Sequence, residues 1–473
     1  MEDEAPHVAV LPSIGIGHLI SLIEFSKKLV HHHNFHITLI IPTIGSPPDA
    51  MIEALHGLPS TINHIFLPPV QYEDMPKNDP TRLLIVKATS LSLSPLRQVI
   101  KSLSATTKLV SFIADAFAID FVDVAEEFNV PWYVYLPLSA MCLSLLLYLP
   151  TLSELVSCEY RDLIEPVKLP GCIPIHGNDL FAGLQDHKSE YYQWLLSMTK
   201  RLPLAKGIMI NSFRELEAGT IRVFQEKTLC KSPVYAIGPL VRMGTNNLDN
   251  DDVSNCLKWL DDQAQGSVIL VSFGSGGTLS NEQMNELAFG LEMSEHSFLW
   301  VVKSPNNESV TGTYFSIQSQ NDPFDFLPRG FLGRTEGRGL VMPSWAPQAH
   351  ILSHASTGGF LTHCGWNSVS ESIVNGVPMI AWPLFAEQKM NAVLLTNDIK
   401  VAIRPKVGEN GLVVREEISE VVKNLMGGEE RKRMCEVMSG LKEAAAKALA
   451  IDGDSSNALS ELAMEWTNHK KID

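Results

Sequence analysis

The chain is short of positive charge: Lys and Arg total 37 against 53 Asp and Glu, leaving −16 over 473 residues. A deficit of that size argues against nucleic acid or an anionic membrane as a general partner. Cysteine is scarce as well, with seven residues (142, 158, 172, 230, 256, 364 and 435) and no Cys-x-x-Cys pair. That spacing excludes a disulfide scaffold or a zinc ribbon and points to a reducing compartment. No Gly-x-Ser-x-Gly elbow occurs, which removes an α/β-hydrolase nucleophile. The opening Met-Glu-Asp-Glu-Ala-Pro has no basic leader, so a signal peptide is not expected and a cytoplasmic location is. Long apolar runs are rare. Residues 128–153 are free of charge for 26 positions (153 − 128 + 1), but Pro131, Pro137 and Pro150 divide them. The piece 138–149 would span about 18 Å as a helix, too little for a bilayer. A buried strand followed by a buried helix is expected there, with no membrane span.

What the chain has in quantity is short apolar, β-rich runs alternating with helical ones. Strands are expected at His7–Leu11, His36–Ile41, Ile62–Leu67, Leu109–Ala114, Trp132–Leu136, Gly207–Asn211 and Val234–Ile237. Helices are expected between them, as at Leu19–His32, Thr81–Ser104 and Ile119–Phe128. A polar stretch at 242–254 reads as a linker. A second series follows at Ser267–Phe273, Phe298–Val302, Leu340–Met342, Gly358–Thr362, Pro378–Ala381 and Val401–Ile403. Ser304–Phe324 reads as a polar insertion, and without an expected signal peptide the Asn307-Glu-Ser309 sequon within it carries little meaning. The pattern predicts an α/β fold of two Rossmann-like domains, 1–241 and 255–454, facing one another across a cleft. A final helix starts near Ser455.

One segment, Trp345 to Gln388 (WAPQAHILSHASTGGFLTHCGWNSVSESIVNGVPMIAWPLFAEQ), concentrates polar chemistry at expected helix starts. Trp345-Ala-Pro-Gln348 opens a short helix with Pro347 in its first turn. After a strand, His363-Cys-Gly-Trp-Asn367 forms a tight loop, and Ser368 starts the next helix. Backbone N–H groups at such a helix terminus suit an anion, and His363, Asn367 and Ser368 add donors. Gly365 admits a close approach of the backbone. Glu371, one turn on, suits a pair of vicinal hydroxyls. Trp345 offers a flat face for a base, and Glu387-Gln388 offer an acceptor and an amide for a polyhydroxylated sugar.

That segment resembles the signature box of the plant family 1 UDP-sugar glycosyltransferases. The resemblance implies a two-domain GT-B fold whose last helix (about 455–473) crosses back onto the first domain. It implies that Trp345 stacks on uracil, with Ala346 and Gln348 beside it. Glu371 then takes the ribose, and His363, Gly365, Asn367 and Ser368 the diphosphate. Trp366, Glu387 and Gln388 contact the sugar. In this family a final glutamine goes with glucose, so Gln388 favours UDP-glucose. Glu387 stands where most members carry aspartate. Pro-Gly-Cys-Ile-Pro at 170–174, SFGSGGT at 272–278 and the run at 382–395 resemble the branch that glucosylates hydroquinone and simple phenols.

The first domain must supply the acceptor site and a base. His18 follows the first strand at an expected helix start, where the positive helix end disfavours its protonation. The resemblance makes it the general base. Asp115, closing the fourth strand on the same sheet edge, is the orienting carboxylate; Asp120 is the rival. Ser13, Ser139 and Ser275 are expected to touch the donor, and Phe117 and Leu146 to wall the acceptor. Many family members carry proline where this chain has Ile14 and Ser21. His31-His32-His33 reads as a solvated turn and Asp452-Gly-Asp454 as a cap, so no metal or other cofactor is expected. The reading is of an inverting glucosyltransferase acting on a small phenolic acceptor, and a monomer. A nicotinamide oxidoreductase on the same architecture, another UDP-hexose, and N or S acceptors remain as alternatives.

Overall fold

A computed structural model describes residues 5–71, 81–242, 251–307, 309 and 322–468. The chain forms two compact units. One comprises Met1–Asn178, Gly183–Val241 and Lys447–Asp473, and the other Asp179–Ala182 and Arg242–Ala446. Thirteen strands are found among the described residues, and each lies within one residue of an expected run at both ends. In the first unit they are β1 (His7–Leu11), β2 (His36–Ile41), β3 (Ile62–Phe66), β4 (Leu109–Asp115), β5 (Trp132–Leu136), β6 (Ile208–Ile210) and β7 (Val234–Ala236). In the second they are β8 (Val268–Ser272), β9 (Ser297–Val302), β10 (Gly339–Pro343), β11 (Thr357–Thr362), β12 (Met379–Ala381) and β13 (Ala402–Ile403).

Both sheets are parallel throughout, because every strand is followed by a helical crossover. The orders are β3-β2-β1-β4-β5-β6-β7 and β10-β9-β8-β11-β12-β13. Each therefore reverses its winding once, between β1 and β4 and between β8 and β11. At those points adjacent loops leave in opposite directions and open a crevice at the carboxyl edge. Leu11 is paired with Ala114 and Ser272 with Thr362, so the loops on either side of each crevice leave the sheet at the same level. The two Rossmann-like sheets are those expected.

The helices differ more. The single helix expected over Thr81–Ser104 is two, Thr81–Leu91 and Leu93–Thr106, bent by 52°. Pro95 explains the break, since it lacks an N–H and its ring collides with the carbonyl four residues back. Pro150 does not end its helix: Ala140–Leu155 runs through it, with ten of its side chains buried. Among the described residues no single helix is long and apolar enough to cross a membrane. His31, His32 and His33 form the last turn of helix Ile16–His33, not a separate turn. Of the stretch expected as a linker, 243–250 lies outside the described residues. Helix Asp251–Asp261 starts within it, with Cys256 and Leu260, four apart, buried. Most of the expected insertion (308 and 310–321), which includes the centre of the sequon, also lies outside the described residues.

Helix Asp454–Asn468 belongs to the first unit and completes its core. Trp466 is wholly buried, with its ring edge-on to Phe35 at 6.0 Å and to Tyr133 at 5.2 Å between centroids. Beside it Glu465 accepts hydrogen bonds from the hydroxyls of Tyr133 (2.7 Å) and Tyr235 (3.4 Å), linking the helix to β5 and β7. Trp466→Ala should cost about 3–5 kcal/mol of stability, read as a lower urea midpoint. A shift below about 1 kcal/mol would show that the helix is not integral to that core.

Candidate active site

In the first unit the loops at the switch point place His18 and Asp115 together. His18 is the third residue of helix Ile16–His33, and its Nδ1 lies 2.6 Å from Asp115 Oδ2. A carboxylate only accepts, so Nδ1 carries the hydrogen, which in the neutral ring leaves the lone pair on Nε2. Asp115 is fully buried, while the His18 side chain is 23% exposed. The other carboxylate oxygen, Oδ1, accepts the Phe117 N–H at 2.9 Å, which fixes the carboxylate plane. Asp120 is engaged elsewhere, accepting from Trp194 Nε1 (3.2 Å) and from Arg201 (3.4 Å). The Phe117 ring stands edge-on to His18 at 5.9 Å and stacks on Trp194 at 6.4 Å. Ser13 is buried after β1, Leu146 is wholly buried, and Ser139 caps helix Ala140–Leu155 through Cys142 N.

The second unit repeats the plan with different chemistry. The glycine turn after β8 meets the loop after β11 over the imidazole of His363. A Cβ built on Gly274 would lie 2.4 Å from His363 Cε1, and one on Gly365 2.4 Å from Nε2. No residue with a side chain fits at either place, so the two glycines let two backbones close around the ring. His363 Nδ1 is buried and has no hydrogen-bond partner among the described residues. Burial, and then the charge of Lys303, push its pKa down to about 3, so the ring is neutral. Buried polar atoms are seldom left without a partner. Helix Trp366–Asn375 begins at the same loop, with Gly365 at its N-cap and no side-chain cap bond. It starts two residues earlier than expected, which buries Trp366 and leaves Asn367 and Ser368 in the first turn.

The rest of the segment is arranged around that turn. Gln348 Nε2 donates to Ser368 Oγ (2.9 Å) and to Glu371 Oε2 (2.6 Å). Burial raises Glu371 to about 7 despite Gln348, which opposes the shift. Trp345 is 56% exposed, an unusual position for an indole. Pro347 is the N-cap of helix Gln348–Ser353, not part of its first turn, because Ser344 has a positive φ and Trp345 N turns back to Pro343 O. Ser344, Cys364 and Ala386, at φ 64°, 64° and 53°, lie between the ends of β10, β11 and β12 and the helices that follow. Left-handed backbone in residues other than glycine collects at functional sites. Gln388 Oε1 accepts from the N–H groups of Leu384 and Phe385, both at 2.9 Å, so its NH2 is the group left to donate. Buried Asn391 donates to Cys364 O (2.9 Å) and to Glu387 Oε1 (3.4 Å), tying the His363 loop to the last part of the segment.

Three residues had no signal in the sequence. Trp194, Asn391 and Lys303 are ordinary residues on a helix, a helix and a strand end, and only the folded chain brings them to these places. No group of three potential metal ligands occurs among the described residues.

A family model for UDP-glucoronosyl and UDP-glucosyl transferase matches residues 216–441. The chain is 54% identical over 466 residues to a hydroquinone glucosyltransferase of Rauvolfia serpentina, covering 98% of this chain and 99% of that one. It is 51% identical over 471 residues to UDP-glycosyltransferase 72B1 of Arabidopsis thaliana, covering 99% and 98%. Among solved structures, UGT2 of Phytolacca americana, complexed with UDP-2fluoro-glucose and pterostilbene, gives a TM-score of 0.90 at 46% identity over 98% of this chain and 100% of that one.

The raised pKa of Glu371 has a consequence for stability. Between the usual carboxylate range, near 4.5, and about 7 the folded state binds a proton that the unfolded state has lost. Its contribution is therefore full below that window and is lost as pH rises through it. Glu371→Gln should flatten the fall in stability from pH 5 to pH 8, measured by urea unfolding. An unchanged slope would exclude the raised carboxyl.

Proposed function

The chain belongs to the UDP-glucoronosyl and UDP-glucosyl transferases, within plant family 1. From that premise we propose that it moves glucose from UDP-glucose to a hydroxyl of a small phenol, inverting the anomeric centre without a metal. The oxidoreductase alternative falls with the family. A phenolic acceptor is supported by the relatives, one named for hydroquinone and one complexed with pterostilbene. We also take the enzyme to act as a monomer in the cytoplasm.

The base assignment rests on the 2.6 Å contact between His18 Nδ1 and Asp115. With Nδ1 engaged, Nε2 takes the phenol proton, and Asp115 stabilises the imidazolium that forms. The freed oxygen attacks the anomeric carbon as the bond to the β-phosphate breaks, and UDP leaves with that electron pair. One displacement turns an α-linked donor into a β-glucoside. The Phe117 ring beside His18 gives a flat phenol an aromatic wall.

On the donor side, Trp345 and Ala346 take uracil, and Glu371 takes the ribose hydroxyls as Gln348 turns aside. The diphosphate fits the N-terminus of helix Trp366–Asn375, with His363, Asn367 and Ser368 donating. Glu387 and the Gln388 NH2 meet the hexose, with Trp366 beneath. Fixed donors at the leaving group do the work of a cation. Ser13, Ser139 and Ser275 stand at the edges of this reading.

His18→Ala should lower kcat about 10²–10⁴-fold while UDP affinity stays within about twofold, by turnover and calorimetry. Undiminished turnover would refute the base. Exhaustive chelation should leave the rate unchanged, and recovery only on adding magnesium would refute the metal-free account.

A further inference from the structure

Lys303 follows β9, the neighbour of β8, and its side chain reaches across to the turn after β8. Its ammonium donates to Gly274 O at 2.6 Å and to Ser275 O. Thr278 Oγ1 donates to Ser304 O at 2.7 Å, fastening the same strand exit to the same turn. In a trans peptide the C=O and N–H point in opposite directions. Holding two successive carbonyls therefore turns the N–H groups of Ser275 and Gly276 away from the lysine. Gly274 itself is pressed on the imidazole of His363.

The charge matters as much as the bonds. Burial lowers Lys303 to about 8, so it keeps its proton at neutral pH. No carboxylate pairs with it among the described residues, and both partners are neutral carbonyls. A partly buried cation left without a counter-ion is costly unless an anion completes it. His363 feels that charge and is neutral, so the imidazole brings a single N–H donor to the site and Lys303 brings the positive charge. A neutral amide would serve if the turn needed only a tie.

We propose that Lys303 is an electrostatic and positioning residue of the donor site, fixing the turn at 274–275 and compensating the charge of the diphosphate as UDP binds and departs. This rests on the donor-site reading above. The interaction is with the phosphates alone, so UDP and uridine separate it from a structural role.

The test is calorimetric titration of the full chain with UDP and with uridine. Lys303→Met should weaken UDP at least about tenfold and change uridine less than about twofold. Lys303→Arg should restore UDP to within about threefold of the parent, since it keeps charge and donors. Lys303→Gln keeps a donor for the carbonyls without the charge, and should weaken UDP as the methionine variant does even if that one folds poorly. Equal weakening of UDP and uridine, or unaltered UDP affinity in the glutamine variant, would overturn the proposal. A parent protein that binds neither ligand would instead overturn the donor-site reading itself.

Discussion

A parallel sheet sends every strand end to one edge, and that constraint shapes both halves of this enzyme. Where the winding reverses, two adjacent exits part, and the crevice between them is the one place on the edge not roofed by a crossover. In the first unit the parting strands are β1 and β4, and they carry His18 and Asp115. In the second they are β8 and β11, and they carry the glycine turn and the His363 loop. One topological event, occurring twice, thus places, in the function we propose, a proton-transfer pair in one sheet and an anion cradle in the other.

The two crevices differ in how they treat an imidazole. His18 is partly exposed and bound through Nδ1 to a buried carboxylate, which holds the ring's orientation. His363 is clamped between Gly274 and Gly365 with no carboxylate, and burial and a nearby lysine hold it neutral. In the proposed mechanism, identical side chains become base and neutral donor through their surroundings alone. The same contrast holds for the acids: Asp115 has both oxygens engaged by donors, whereas Glu371 has Gln348 and a shell that resists ionisation.

The strands could be read from sequence because a strand covered on both faces must be apolar along its whole length, and β1, β4, β5 and β8 are buried at every residue. Helix limits were harder, since they depend on which turn the tertiary structure chooses to bury. Pro95 breaks a helix and Pro150 does not, because the second lies in a helix held on most sides by core. The Trp345–Gln388 segment announced its chemistry because its groups are consecutive in sequence. Trp194 lies 77 residues (194 − 117) from the Phe117 it stacks on, and Lys303 stands 60 residues (363 − 303) before the His363 it influences. Their roles come from sheet order and helix packing, which no local pattern encodes.

An acidic chain of net charge −16 that takes an anionic donor presents a conflict. It resolves on the scale of the screening length. At physiological salt that length is about 8 Å, so charges scattered over the surface are largely hidden from a ligand seated at a strand end. In the proposed donor site the ligand sees instead the shell within reach: helix N–H groups, a neutral imidazole, and the charged end of Lys303. Burial holds Glu371 at about 7, so that in this proposal its charge is not imposed before hydroxyls arrive to satisfy it. Net charge then governs solubility and the long-range approach, while binding in the proposed donor site is decided by groups whose directions the second parallel sheet has already set.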